Sequence, residues 1–549
     1  MNIKKLLCIF EICALLVLCA CGKTTIGDGN TQPMTPDSGT GTVDTLSLLY
    51  SASDSLNPYK AETKLNRQIA SLMFDPLVRL DSTFQPQYIL AENIELSGKE
   101  CIVTLKNAVF SDGSPVTADD VVYSVKLAKE SELIYKEQLA VVSSCTADGT
   151  DKIKFTLTKA DPYFANLCDF PIIKSGSDDR KDENKISLPP IGSGRFVFDV
   201  DTKTLKANAS CVTGVSAVST INLMNAPDSE VIKYNLEAGN VDIYYTDLAD
   251  ASIPPMSGTA VKVELNNLVY LGLNLSNKYL SKPEVRYALA AAIDRTAVCN
   301  DAYYSYAGPA KGLFNSVWSD AGNLQNLSST SNLENVVANL SEIGYNNKNQ
   351  EGYFTDSGGK PLNFKLITYS GNERRLKASK LIAEQLEAAG FSIKTVSLEW
   401  DEYVAALSSG DFDIYIAEVK LMNNMDVTEL VTSEGSLSYG IPALKPSVSE
   451  STKPESTDSE ESDSASDDST GGTENAVTSY VPLLDAAVSG FYNEQLSLVD
   501  IINAFNAEMP IIPICHRCGL TVCSPALAVT SMSSVSDLIF GSTDINKAK

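Results

Sequence analysis

The chain has 549 residues, 44% hydrophobic and 20% charged, and its 69 Asp and Glu outnumber 43 Lys and Arg to give a formal charge of −26. That balance excludes a nucleic-acid binder, because phosphate contact needs concentrated Lys and Arg, and the length suits two or three domains. A single histidine, His516, leaves little material for catalysts that pair a nucleophile with an imidazole base.

The N-terminus opens with Lys4 and Lys5, then an apolar run over residues 6–20 broken only by Glu11. This is the layout of a secretory signal, and it is too short for a comfortable membrane span. Leu18-Cys19-Ala20-Cys21 sets small residues before a cysteine and resembles the lipobox at which bacterial lipoprotein precursors are acylated and cut. Residues 1–20 are therefore expected to be a signal peptide, with Cys21 the lipidated first residue of the mature chain. Residues 21–43, rich in Gly, Thr and Pro, read as a flexible tether. Two acyl chains at roughly 0.8 kcal/mol per methylene suffice to hold such a protein on a membrane without spanning it.

Residues 101–105 read as a strand, Asp112-Gly113 as a turn, and Thr117, with Asp120 three positions on, as the start of a helix. Ser281 is expected to cap a later helix, with Pro283 tolerated in its first turn and Val285, Ala288, Leu289, Ala292 and Ile293 on its buried face. Over residues 362–419 period two and period 3.6 alternate. Leu362, Phe364 and Leu366 mark a strand, and Leu376, Ser379, Ile382, Ala383, Leu386 and Ala389 share one helical face that ends at Gly390. Phe391, Ile393 and Thr395 give a second strand, residues 400–408 a short helix, and residues 412–416 a third strand. This β-α-β-α-β order implies parallel strands with right-handed crossovers. Ligands of open parallel sheets sit off the carboxyl ends of strands, which puts residues 369–372 and 418–422 beside a cleft.

Residues 446–475 hold nine carboxylates against one cation, Lys453, in a Ser/Thr background without aromatic residues. Such a segment buries too little apolar area to offset its ordering entropy, and a disordered insertion is expected. Setting aside Cys8, Cys13, Cys19 and Cys21, eight of the twelve cysteines remain, at spacings unlike a dense disulfide framework. Cys515-His516-Arg517-Cys518, with Cys523, has metal-ligand chemistry. It lies, however, in an apolar run that reads as a strand, where Cys515 and Cys518 point to opposite faces and no fourth zinc ligand is evident. No metal or other cofactor is expected.

Six segments stand out in chain order, beginning with Asp54-Ser55-Leu56-Asn57-Pro58-Tyr59, Met73-Phe74-Asp75-Pro76-Leu77-Val78-Arg79-Leu80, and the run from Leu105 through Phe110-Ser111-Asp112-Gly113 to Thr117-Ala118-Asp119-Asp120-Val121. Gly192-Ser193-Gly194, Val285-Arg286-Tyr287-Ala288-Leu289 with Ile293-Asp294-Arg295, and Met509-Pro510-Ile511-Ile512-Pro513-Ile514 follow. Together and in this order they resemble the family 5 extracellular solute-binding proteins, the oligopeptide, dipeptide and nickel-binding components of ABC importers. The resemblance implies an α/β, type II periplasmic-binding-protein-like fold with two lobes around a ligand cleft plus an extra domain. It divides the chain into lobe I (44–75), the extra domain (76–190), lobe I again (191–270), lobe II (271–513) and a final return to lobe I (514–549). It also implies partners: a small-molecule or peptide ligand, an ABC permease, and the membrane through the lipid anchor on the extracellular or periplasmic side.

Peptide binders of this kind treat the ligand as an added strand and set a carboxylate against its free amine. In the family that acid follows a tryptophan just after the strand matched here by residues 412–417. This chain instead has Val419 at the tryptophan position and Met422 at the acid position. The resemblance leaves Glu418 or Asp426 to take over the amine, or a ligand that is not an ordinary peptide. Lys420 suits a ligand carboxylate. Tyr50, Ser53, Asp54 and Asn274 follow the family's ligand-facing segments, and Tyr439 is a weaker candidate. Arg195 stands where an apolar residue is common and is equally explained by a surface ion pair. No G-x-S-x-G elbow, HExxH or phosphate loop is present, so no enzyme is expected. A receptor of the same fold working without a transporter is the competing reading.

Overall fold

The computed structural model describes residues 43–249, 253–442, 479–529, 534–537 and 545–547. The expected signal peptide, Cys21, nearly all of the tether and the acidic segment 446–475 lie outside the described residues.

The first lobe begins with β1 (Thr45–Tyr50) and α1 (Lys64–Met73). The Thr63 hydroxyl starts α1 by accepting from the Asn66 amide, which satisfies one of the orphan N–H groups of the first turn. The chain then builds an antiparallel sheet from β2 (Ala91–Ser97), β3 (Glu100–Leu105), β4 (Val142–Asp148) and β5 (Lys152–Leu157), in the order β2-β3-β5-β4. Between β3 and β4 lies α2 (Ala118–Glu130). The Asp120 carboxylate accepts from the Thr117 amide at 2.9 Å and from its hydroxyl at 2.7 Å, the reciprocal cap legible in the sequence.

The chain returns through Gly192-Ser193-Gly194 to β6 (Phe196–Asp199), β7 (Thr204–Ala207) and β8 (Thr220–Asn225), giving the sheet β1-β8-β7-β6 with β1 parallel to β8. The two glycines are required by close approach. A Cβ on Gly192 would lie 2.1 Å from the Met73 carbonyl oxygen, and one on Gly194 2.4 Å from the Met73 carbonyl carbon. The neighbouring Arg195 is buried and pairs with Asp537 at 2.5 Å, so its ion pair is an internal one rather than a surface one.

Next come β9 (Ile243–Thr246) and the 15-residue β10 (Thr259–Leu273). The second lobe holds α3 (Pro283–Ala292), α4 (Arg295–Tyr303), β11 (Asn363–Tyr369), α5 (Glu373–Ala389), β12 (Ser392–Leu398), α6 (Trp400–Ser409), β13 (Ile414–Lys420), α7 (Pro482–Tyr492) and α8 (Leu498–Glu508). The last long strand is β14 (Ile511–Cys523), buried along its whole length. These strands form one sheet in the order β9-β14-β10-β13-β11-β12, with the short strand Ala307–Pro309 also paired to β14. β11 is parallel to both β12 and β13, as the β-α-β-α-β pattern implies.

The two long strands β10 and β14 join the lobes. Thr259–Glu264 pairs with residues 518–523 next to β9, whereas Leu268–Gly272 pairs with residues 511–516 next to β13. Between Glu264 and Leu268 the register breaks, and such an irregularity bends and twists a strand. Two large apolar cores flank this crossing. One packs β10, β11 and β13 against α3, α5 and α8; the other joins β1, α1 and β8 to β3, α2 and β5. The extra unit thus shares a core with lobe I, and Leu80 and Phe84, inside the range assigned to it, belong to the lobe II core.

Two local expectations differ. Ser281 does not cap α3: its hydroxyl donates to the Lys278 carbonyl at 3.1 Å, and Lys282 stands at the cap position without a side-chain bond. Leu376, placed on the buried face of α5, is exposed, while Arg374 and Ala378 are buried instead. Gly390 does end α5 in the left-handed conformation, at φ 110°.

Candidate ligand-binding site

The carboxyl ends of β11 and β13 open onto a cleft at the crossing. Its larger cavity, about 350 Å³, lies between α1 (Lys64, Arg67, Gln68), the extra unit (Tyr135, Gln138, Asp169) and residues 420–423 after β13. A neighbouring cavity of about 220 Å³ lies between Leu248 and Ala249 on one side and Tyr303, Asn372, Arg374 and Arg375 on the other. Asn267, Lys420 and Arg517 line both, so the two are parts of one cleft.

Asn266 and Asn267, two polar residues in the middle of β10, tie the crossing to the second lobe. The Asn266 amide donates to the carbonyls of Leu421 (3.3 Å) and Met422 (3.1 Å). Glu418 accepts from Asn267 at 2.8 Å and from the Arg517 Nε at 2.7 Å, and Arg517 also donates to the Asp247 carbonyl at 2.6 Å. With both partners largely buried, this hydrogen-bonded ion pair holds β13 to β14. Burial works against the Arg517 charge, but the neighbouring Glu418 more than restores it and raises the guanidinium pKa. Lys420 is different. Among the described residues it has no carboxylate within ion-pair distance, and burial lowers its pKa despite the attraction of Asp169 and Asp247.

Asp169 is an acid of the cleft that the sequence analysis did not single out. Its carboxylate accepts from Gln138 (2.5 Å), Asn423 (2.9 Å) and Ser536 (3.2 Å). Burial nevertheless pushes its pKa up to about 6.

Of the residues named from sequence, Glu418, Lys420 and Met422 line the cleft. The others do not. Asn274 follows the carboxyl end of β10, but β10 is antiparallel to β13, so it lies beside the amino end of β13, donating to the Phe412 carbonyl at 3.0 Å. Tyr439 stays near that same end, edge-on to Tyr415 at 6.5 Å and 39% exposed. Tyr50 packs against the lobe I core. Ser53 bonds Ser51, and Asp54 closes a turn by accepting from Ser55, Glu62 and Thr63. Asp426 pairs with Lys159 at 2.6 Å and caps Thr428, fastening the loop after β13 to the extra unit.

Arg374, Arg375 and Arg517 were within reach of sequence reasoning. Two arginines in the first turn of α5 oppose its dipole, and a cation in an otherwise apolar strand needs a partner or a purpose. Arg67 and Asp169 carried no such mark, because only the fold brings them to the cleft.

Two lobes, two crossing strands and a polar cleft between them define a binding protein of the periplasmic type. The chain matches the profile of the bacterial extracellular solute-binding proteins, family 5, over residues 83–430, and it belongs to that family. It is 27% identical over 369 residues to the oligopeptide-binding protein AppA of Bacillus subtilis (strain 168), an alignment covering 63% of this chain and 67% of that protein. It is 24% identical over 364 residues to the dipeptide-binding protein of Escherichia coli (strain K12), covering 59% and 65%. These matches span about two thirds of each relative's own length. In fold it is similar to the unliganded open form of MppA, a periplasmic murein tripeptide binding protein, with a TM-score of 0.69 at 18% identity, covering 93% of this chain and 99% of that one.

Proposed function

We propose that this protein captures a short peptide between its lobes and delivers it to the permease of an ABC importer, held on the outer face of the cell membrane by a lipid on Cys21. The observation that carries this reading is the polar cleft at the crossing, whose volume of about 350 Å³ falls in the range that encloses small ligands. A guest touching both walls interacts more with the closed arrangement, and that difference sets how far the equilibrium moves. A permease can then separate loaded from empty protein by shape. Family membership and likeness to the peptide binders named above support the transport role. The sequence of residues 1–21 supports the anchor.

The reading is non-catalytic. His516 does not line the cleft, and burial holds its pKa down at about 3. Native mass spectrometry of freshly purified protein should reveal a co-purified peptide, and thermal shift against peptide and metal libraries should show stabilisation by peptides. Stabilisation by neither would favour a receptor that keeps the fold and has lost transport. Cleavage of the offered peptides would overturn the non-catalytic reading. Acyl chains on Cys21, sought by mass spectrometry of membrane-extracted protein, test the anchor.

A further inference from the structure

The cleft has the opposite sign to the rest of the chain. Among the described residues its two cavities are lined by seven Lys and Arg side chains and three carboxylates, against a formal charge of −26 for the whole chain. All three carboxylates are already engaged. Asp247 pairs with Lys64 at 3.0 Å, Glu418 with Arg517 at 2.7 Å, and Asp169 accepts from three neutral donors. None of them is left facing the cleft alone, as a carboxylate that receives a ligand amine would be.

Cations, by contrast, are in surplus on both walls. On lobe I, Arg67 bonds, among the described residues, the carbonyls of Ala61 (3.3 Å) and Glu62 (2.5 Å). On lobe II, among the described residues, Lys420 has no ion-pair partner and the buried Nε of Arg375 no hydrogen-bond acceptor. Arg374 stands close enough to Arg517 for that second guanidinium to lower its pKa, adding to the larger effect of burial. Like charges gathered in a poorly solvated crevice repel one another and raise the local concentration of anions.

We propose that the guest is a multiply anionic peptide, bridged through its carboxylates between Arg67 of lobe I and Arg375 and Lys420 of lobe II, and that a free amine is not required for its capture. This rests on reading the cleft as the solute site. The anion does two things at once: it satisfies the unpaired cations, and it removes the repulsion that opposes approach of the two walls. Guanidinium forks match carboxylates bidentately, which gives direction as well as charge.

The test uses pools of tripeptides with acidic, neutral or basic side chains, each with its amine free or acetylated. The pools are offered to the full-length protein, and binding is read by native mass spectrometry and calorimetry. The acidic pool should bind at least about tenfold more tightly than the neutral one, with acetylation changing affinity by less than about threefold and added salt weakening it. The double variant K420Q/R375Q should lose about tenfold or more in affinity for acidic peptides while unfolding at the parent's temperature. Binding of neutral or basic pools as tight as that of the acidic pool, or loss of binding on acetylation, would overturn this inference and leave the solute-binding reading standing. Failure of every pool would overturn both.

Discussion

His516 is buried, neither ring nitrogen has a hydrogen-bond partner among the described residues, and burial pushes its pKa from 6.5 down to about 3. The folded chain therefore binds fewer protons at this site than the unfolded chain between those two values. Stability is lost as pH falls below 6.5 and continues to fall towards 3. H516L should make the melting temperature less sensitive to acid between pH 7 and 5. By removing two unpaired polar atoms it should also stabilise the protein by about 1 kcal/mol at neutral pH. Parallel pH curves for parent and variant would contradict this account. Asp169 has the reverse sign. Its folded pKa of about 6 exceeds the ordinary 3.8, so the folded state holds a proton that the unfolded state has released, and stability falls as pH rises through that window. As pH drops from 7 to 5 the carboxyl neutralises beside Lys420 and the cleft becomes more positive. Acidic peptides should then bind several-fold more tightly at pH 5, and D169N should abolish the change. An unaltered pH dependence in D169N, measured by calorimetry, would locate the proton elsewhere.

At the scale of elements, the parallel strands and their crossover helices were legible because buried faces repeat at periods two and 3.6, and Gly390 and the Thr117–Asp120 pair marked helix ends by chemistry the backbone requires. The carboxyl-end rule pointed to residues 369–372 and 418–422, of which Asn372, Glu418, Lys420, Leu421 and Met422 line the cleft. Asn274, taken instead from the resemblance, lies away from the cleft, because β10 runs antiparallel to β13 and its carboxyl end meets the amino end of that strand. Sequence periodicity does not report strand order, and strand order decides which end of β10 meets the cleft. Ser281 misled for a similar reason: its hydroxyl had a nearer acceptor in the preceding turn. The Gly192–Gly194 return was legible as glycine but not as contact. G194A would press a Cβ against Leu72 and Met73 backbone and should destabilise the protein by about 2 kcal/mol or more. G308A, whose Cβ would meet nothing within 4 Å, should change stability by less than about 0.5 kcal/mol. Equal denaturant midpoints for the two variants would show that the packing of the return segment on α1 does not matter.

For the whole molecule, the resemblance led to an expected order of lobes, whereas the core shared by lobe I and the extra unit is a property of the fold that no local pattern announces. Two large cores meet at β10 and β14, where the register breaks, and again where Leu80, Phe84 and the Lys159–Asp426 pair hold the extra unit to lobe II; the crossing strands supply the bend of a hinge and the second contact is one that its motion must accommodate. The surplus of cations on both walls then sets the sense of the response, since an anionic guest favours approach that the empty cleft resists. Small-angle scattering of the full-length protein, free and with the acidic tripeptide pool at an occupancy verified by native mass spectrometry, tests this directly. A smaller radius of gyration on binding is the predicted result. Superimposable curves from empty and fully occupied protein would contradict closure of the lobes upon their solute.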